Sequence, residues 1–289
     1  MKRILIISDG KPGHLNQSIA FCKIKNISYD ILEVKFKSKI LKLLSYAYDK
    51  SKFYTDSLFT QYRKYNFDFY DAVVSTGSST YYFNKFISKK YNIKSIALML
   101  PKSYRYSDFD YIIAQDHDEP PKLPNLISVP LNLSYTKAKN IINLKEKSIG
   151  IIIGGDNDVF KMDVENIRNT LNHIFKSHDG YLKFVTTSRR TPKKIEELLN
   201  EYKFDYKLIY SKQPEINPIP DFIKLCEELY ITIDSTSMLS EARANSDALI
   251  SIIELRSKKE DTKFHKLAKT VNKIKTKVDL SQLLQDVKI

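Results

Sequence analysis

Apolar residues in this chain recur in short unbroken runs rich in Ile and Val, separated by longer stretches in which they return every three or four positions. An unbroken run is what a strand covered on both faces requires, whereas a sheet with one wet face would alternate. The runs predict strands at Arg3–Ser8, 30–35, 72–75, 95–100, 111–114 and 126–130 in the first half. In the second half they predict strands at Ser148–Ile153, 181–186, 207–210, 229–233 and 248–254. Helical spacing fills the intervals 14–25, 80–91, 164–178, 191–202 and 237–245. Strand and helix in alternation imply parallel sheets with helices on both faces. The pattern restarts near residue 148, after a polar, lysine-rich stretch at 131–147 that reads as a hinge. The expected fold is therefore α/β, with two Rossmann-like doubly wound domains whose parallel sheets face each other across a cleft. We place the domains at 1–143 and 144–289, with the last helix free to pack back on the first domain.

Ligands in such sheets sit beyond the carboxyl ends of the strands, where loops meet helix N-termini. Candidate chemistry falls at those points. The most informative stretch is Ile231-Thr-Ile-Asp-Ser-Thr-Ser-Met-Leu-Ser-Glu-Ala242, a strand that delivers a helix start. Free N–H groups and the helix dipole there attract an anion such as phosphate. Ser235, Thr236 and Ser237 form the seat, and Glu241, one turn beyond Ser237, is placed to accept from ribose hydroxyls. Ordinary capping by Ser235 or Thr236 is the competing reading, although no Glu or Gln stands three residues after them to complete a capping box.

Gly154 and Gly155 end the first strand of the second half, where paired glycines would admit a diphosphate, and Asp156 could bond a sugar or cap a helix. Thr186-Thr-Ser-Arg-Arg-Thr-Pro192 ends the next strand. Thr187, Ser188, Arg189 and Arg190 suit phosphate oxygens, and Thr191-Pro192 reads as a helix start with proline at the first helical position. In the first half, Ser8-Asp-Gly-Lys-Pro-Gly-His-Leu-Asn-Gln17 is neither a dinucleotide fingerprint nor a phosphate loop. Gly10, Pro12 and Gly13 read as a tight turn, with Asp9 and His14 as the groups placed for general base work. Val74-Ser-Thr-Gly-Ser-Ser-Thr80 is a small-residue turn able to hold a substrate anion, or plain turn chemistry. Gln115-Asp-His-Asp-Glu119 gathers carboxylates around His117 and invites a metal reading, but two prolines follow as at the exit of an acidic loop.

Composition narrows the setting. The net charge of +13 is spread along the whole chain together with abundant Ile, Asn and Tyr, without any nucleic-acid signature, so no nucleic-acid partner is expected. The basic aromatic stretch at 37–65 could lay one face on an anionic membrane, or pack its Leu and Tyr inward and solvate its lysines. Cys22 and Cys226, far apart in apolar contexts, read as buried free thiols in a reducing compartment. No run reaches spanning length and no signal peptide is expected, which places the protein in the cytoplasm, at the inner face of the membrane if it touches one.

The pieces Asp9-Gly10 with Asn16-Gln17, Phe109-Asp110 followed by His117-Asp118, Gly154-Gly155, Thr186–Pro192 and Asp234–Ala242 together resemble the mitochondrial-fission Elm family and its bacterial relatives. The chain departs from that family in lacking the aromatic-rich stretch after Gly155, and in reading Ala244-Asn-Ser-Asp247 where Gly-Lys-Pro commonly follows the last helix. The resemblance implies a GT-B glycosyltransferase fold with the nucleotide held mainly by the second domain. It implies inverting, metal-independent sugar transfer from a nucleotide-activated donor to a glycan or lipid-linked acceptor, as in building a cell-envelope glycan, with no cofactor beyond the donor. Asp9 or His14 would deprotonate the acceptor, and Gly10, Gly13, Asn16, Gln17, Ser78, His117 and Asp118 would line its site. The competing class is a non-catalytic scaffold that keeps the fold. A dehydrogenase or epimerase built on a dinucleotide fingerprint lacks that fingerprint, and the Tyr-x-x-x-Lys spacing of Tyr81 and Lys85 then reads as accidental.

Overall fold

The computed structural model describes residues 2–62, 65–144 and 146–289. The basic start at Met1, residues 63 and 64 of the basic aromatic stretch, and residue 145 of the expected hinge lie outside the described residues. The chain divides into two compact units: Met1–Tyr135 together with Asp279–Ile289, and Thr136–Val278.

The first unit runs β1 (Arg3–Ser8), α1 (Pro12–Ile24), β2 (Ser28–Glu33), α2 (Lys39–Lys50), β3 (Ala72–Thr76), α3 (Tyr81–Tyr91), β4 (Lys94–Leu98), β5 (Tyr111–Gln115) and β6 (Leu126–Val129). Its six strands lie in the order β2-β1-β3-β4-β5-β6, and every pair is parallel. Ile4, Leu5, Ile6 and Ile7 of β1 are all buried, as a central strand covered on both faces demands. Burying each contributes roughly 1.5–3 kcal/mol against exposure.

The second unit runs β7 (Ser148–Ile153), β8 (Phe160–Lys161), α4 (Val164–Ser177), β9 (Leu182–Thr187), α5 (Lys193–Leu198), β10 (Tyr206–Leu208), α6 (Ile219–Leu225), β11 (Glu228–Thr232), α7 (Thr236–Asn245), β12 (Leu249–Ile253), β13 (Arg256–Ser257) and α8 (Lys263–Lys273). Five strands form a parallel sheet in the order β10-β9-β7-β11-β12, while β8 and β13 pair antiparallel apart from it. The last helix, α9 (Leu280–Leu283), belongs to the first unit, where Lys25 Nζ donates to the Leu284 carbonyl at 2.9 Å.

Each sheet starts at an inner strand, grows to one side, then returns to the other side of its first strand. A crevice opens where the direction reverses, between β1 and β3 in one unit and between β7 and β11 in the other.

Several local expectations are corrected. Pro12 and Gly13 open α1 instead of shaping a turn, so only Gly10 keeps a positive φ in that loop. Pro192 stands at the cap of α5, one position before the first helical residue, and the helix read at 191–202 ends at Leu198, with a 3-10 turn at Leu199–Glu201. The two-residue strands β8 and β13 are too short to show any periodicity in sequence. Along α2, Leu41, Leu44, Tyr46 and Tyr48 pack on the core, but Ile40 and Leu43 stay exposed, at 76% and 66%.

Candidate functional site

At the reversal point of the second sheet, loops after β7, β9 and β11 are tied into one cluster around Asp234. This residue follows β11 and its side chain is fully buried. Its Oδ2 accepts from Gly155 N at 2.9 Å and from an Arg190 guanidinium nitrogen at 2.7 Å. A second Arg190 nitrogen reaches the carbonyls of Gly155 and Asp156 at 3.4 and 3.3 Å. Gly154 N donates to Thr232 Oγ1 at 2.7 Å, and the Thr191 hydroxyl donates to the Gly154 carbonyl. Asn157 Nδ2 closes the ring on the Asp234 carbonyl at 3.2 Å.

The two glycines are required by this packing. A Cβ on Gly154 would lie 2.1 Å from Asp234 Oδ1, and one on Gly155 would lie 2.1 Å from the Arg190 carbonyl. The space that the sequence reading left for a diphosphate is, on that side, filled by protein.

Beside the cluster opens a cavity of about 430 Å³ lined by Asn157, Asp158, Arg190, Ser235, Thr236 and Lys263, among others. Helix α7 begins at its wall. Ser235 is the cap, its Oγ accepting from Met238 N at 3.3 Å, as ordinary capping by this residue requires. The cap uses Met238 N, and Leu239 N bonds the Ser235 carbonyl, which leaves the N–H groups of Thr236 and Ser237 without a protein acceptor among the described residues. Lys263, in the first turn of α8, adds a positive charge. The arrangement can hold an anion of phosphate size or larger.

Not every residue expected here joins it. Arg189 is exposed. The Thr187 hydroxyl accepts from Tyr210 N at 2.8 Å, and the Ser188 hydroxyl accepts from Arg190 N at 3.2 Å, so both serve the loop itself. Asp156 accepts from Met162 N at 2.8 Å and pairs with Lys161 at 2.7 Å. Burial opposes its ionisation, but these partners win and hold its carboxyl below the usual range. Glu241 does not line this cavity. Its carboxylate takes the Thr136 hydroxyl, and burial pushes its pKa up, offset in part by that bond and by Lys139.

In the first unit, the β1–β3 reversal point brings Asp9 and His14 together. His14 Nδ1 lies 3.2 and 3.1 Å from the two Asp9 carboxylate oxygens. The Asp9 side chain is 6% exposed and the His14 ring 25%. The ring packs on Gly77, where φ is +93° and a Cβ would lie 2.4 Å from His14 Cε1. Gly77 thus makes room for the His14 ring, a role that neither the anion-holding nor the plain-turn reading of 74–80 contained. A carboxylate accepting at Nδ1 leaves Nε2 as the ring nitrogen that carries the lone pair in the neutral form.

Lys42 of α2 donates to the Ser78 and Ser79 hydroxyls at 2.9 and 3.1 Å, which ties the turn after β3 to α2. Gln17 is buried with its Oε1 3.4 Å from Gln115 Nε2, Asn16 and Gly13 are exposed, and Gly10 sits over the Glu33 carboxylate. His117 and Asp118 form a single 3-10 turn after β5, Asp118 pairing with Lys102 at 3.3 Å. No group of three His, Cys, Asp or Glu among the described residues is arranged to hold a metal ion. Tyr81 and Lys85 share no site: the Tyr81 hydroxyl donates to the Leu98 carbonyl, while Lys85 is buried against Asp49. Cys22 and Cys226 are buried free thiols, each pushed up to about 12 by burial. No helix among the described residues is long and apolar enough to cross a membrane.

Two Rossmann-like units with loop clusters at their sheet reversals define an α/β protein of the GT-B class. The family model described as Mitochondrial fission ELM1 matches residues 12–285, and the chain belongs to that family. No curated protein sequence matches it. Among solved structures, the S. aureus MnaA–UDP co-structure is similar with a TM-score of 0.51 at 12% identity, covering 99% of this chain and 88% of that one. Acinetobacter baumannii MurG follows with a TM-score of 0.49 at 10% identity, covering 99% and 93%. UDP-GlcNAc 2-epimerase from Neisseria meningitidis, bound to UDP-GlcNAc, gives 0.49 at 9% identity, covering 96% and 95%. At 12% identity the first of these likenesses is one of fold alone.

Proposed function

We propose that this chain binds a nucleotide-activated sugar through its second unit and transfers the sugar to an acceptor hydroxyl. The observation that carries the reading is the cavity at the start of α7, with its free N–H groups, Lys263 and the Arg190–Asp234 pair. A departing nucleoside diphosphate gathers negative charge as the bond to the sugar C1 breaks. The N–H groups of Thr236 and Ser237, with Lys263 and Arg190, are placed to take that charge up, and exposed Arg189 is near in sequence to join them. MnaA was solved with UDP, which makes a uridine diphosphate donor the first to test.

On the acceptor side the Asp9–His14 pair supplies the base. Asp9 orients the ring and balances the imidazolium, and His14 Nε2 takes the hydroxyl proton as the new C1–O bond forms. Direct displacement by that hydroxyl inverts the anomeric carbon and needs no metal ion. Contact with an anionic membrane belongs to the same reading, supported by exposed Ile40 and Leu43 beside Lys39 and Lys50 on α2.

Titration calorimetry with UDP tests the donor side. Arg190→Ala is expected to weaken binding at least tenfold, because it removes a cation and frees Asp234 to repel the phosphates. Unchanged binding in that variant would sink the assignment. His14→Ala is expected to leave UDP affinity intact and abolish transfer.

A further inference from the structure

We infer that the first unit holds an anion-binding subsite, built to take a phosphate or diphosphate ester on the acceptor. It is a second cavity, of about 380 Å³, lined by Asp9, Lys11, Lys35, Ser38, Lys39 and Lys42 together with Val34, Phe36 and Ser79. Four cations face one carboxylate, and two of the four have a carboxylate partner of their own. Lys35 is shared with Glu33 at 2.9 Å, and Lys11 lies 3.7 Å from Asp9. Lys39 and Lys42 have no carboxylate within ion-pair reach among the described residues.

Lys42 is the key group. It is half-buried, and among the described residues its ammonium donates to the neutral hydroxyls of Ser78 and Ser79. Burial, and the charge of Lys11, push its pKa down, with only Asp9 opposing. A partly desolvated cation without a carboxylate in ion-pair reach is a standing cost that a bound anion would relieve. Helix α2 adds to the same field. Its Ser38 cap accepts from Leu41 N at 3.2 Å, and Lys42 N bonds the Ser38 carbonyl, which leaves the N–H groups of Lys39 and Ile40 without a protein acceptor among the described residues. Asp9 lines this cavity and orients His14, so an anion seated on Lys39 and Lys42 would place its ester next to the base.

The inference rests on the transfer reading only for the word acceptor; the anion site stands or falls by itself. The test is calorimetry on the full chain with inorganic pyrophosphate, in the presence and absence of saturating UDP. Wild type is expected to bind pyrophosphate with UDP present, and the Lys39→Gln/Lys42→Gln variant roughly tenfold or more weakly. Because Lys42→Gln leaves Ser78 and Ser79 without their donor, exposed Lys39→Gln is measured alone as well, with an expected loss of several-fold.

UDP affinity should be the same in all three proteins. Equal pyrophosphate affinity in wild type and both variants overturns the subsite, whatever UDP does; UDP failing to bind wild type overturns the donor reading and leaves the subsite untouched. Farnesyl diphosphate separates the sources of the phosphate. Tighter binding than pyrophosphate, reduced by Ile40→Ser/Leu43→Ser, supports the subsite with a lipid carrier, and equal binding supports it with a soluble phosphate ester.

Discussion

At Gly154 a single methyl group decides whether the second-unit site can form. An alanine Cβ there would press on the Asp234 carboxylate, which is buried and already shared by Gly155 N and Arg190. Neither partner is the free end of an exposed side chain, so the strain is not easily relieved. Gly154→Ala is expected to destabilise the protein by about 2 kcal/mol or more in urea titrations and to weaken UDP binding with it. Gly13→Ala is the matched control, since a Cβ there meets nothing within 4 Å. Glu241 makes a prediction in pH. Burial raises its carboxyl, and the Thr136 hydroxyl and Lys139 offset only part of that. The folded state therefore favours the protonated form. That stabilisation is full below the ordinary glutamate pKa, about 4.3, and is lost as pH rises through the higher folded value. Glu241→Gln cannot ionise, so its urea midpoint should match wild type near about pH 4 and exceed it near about pH 8. Parallel midpoints across that range would show that Glu241 is not strained by its surroundings.

At the scale of elements, buried carboxylates do the joining that sequence patterns hide. Asp221 of α6 accepts from four consecutive backbone N–H groups, those of Lys139, Asn140, Ile141 and Ile142. Burial opposes its charge, but the four bonds outweigh burial and hold the carboxyl below the usual range. Its contribution is present above the unfolded value of about 3.9 and is lost as pH falls through the folded one. Asp221→Asn is expected to cost about 3 kcal/mol at neutral pH and to speed amide exchange at those four residues. The stretch read as a hinge is thus clamped over part of its length. In the first unit, Asp49 of α2 pairs with Lys85 of α3 at 2.6 Å, both side chains fully buried. Asp49→Ala leaves that ammonium with only the Arg105 carbonyl at 2.7 Å and Asp108 at 3.7 Å among the described residues, and should cost about 3 kcal/mol, recovered in part by Lys85→Met in the same chain. Sequence showed the strands well, because unbroken Ile and Val runs carry their own signal; β1 and β7 match residue for residue. It could not show strand order, which alone places Asp9 beside Gly77 and Gly154 beside Asp234. Nor could it show which polar side chains the protein uses for itself. Thr187 and Ser188 look like phosphate ligands in the string, yet their hydroxyls hold loop amides, whereas nothing in the sequence marks Lys42 within its basic stretch, or Lys263, as facing a cavity.

At the scale of the whole molecule, the chain builds the same sheet plan twice and sets a loop cluster at the reversal of each. Each unit buries its own core, and the first is completed by the last eleven residues, Asp279–Ile289. Leu280, Leu284, Val287 and Ile289 are buried there, at roughly 1.5–3 kcal/mol each. Lys25 and Lys94 donate to the carbonyls of Leu284 and Lys288, and Lys288 N donates to the Tyr111 hydroxyl. The sum is comparable with the whole stability of an ordinary domain, about 5–15 kcal/mol. Truncation after Val278 should therefore loosen the first unit far more than the second. Amide exchange reads this directly: protection in β4 and β5 is expected to fall sharply, while protection in β7 and β11 stays. Ligands give the reciprocal result, since a molecule that binds a folded unit stabilises it by mass action. In the truncated chain UDP should still raise protection around Gly155 and Thr236, while pyrophosphate should lose its effect around Ser38. If exchange rises equally in both sheets, or UDP binding disappears with the tail, the two units do not keep separate cores, and the donor and anion sites cannot be assigned to them one by one.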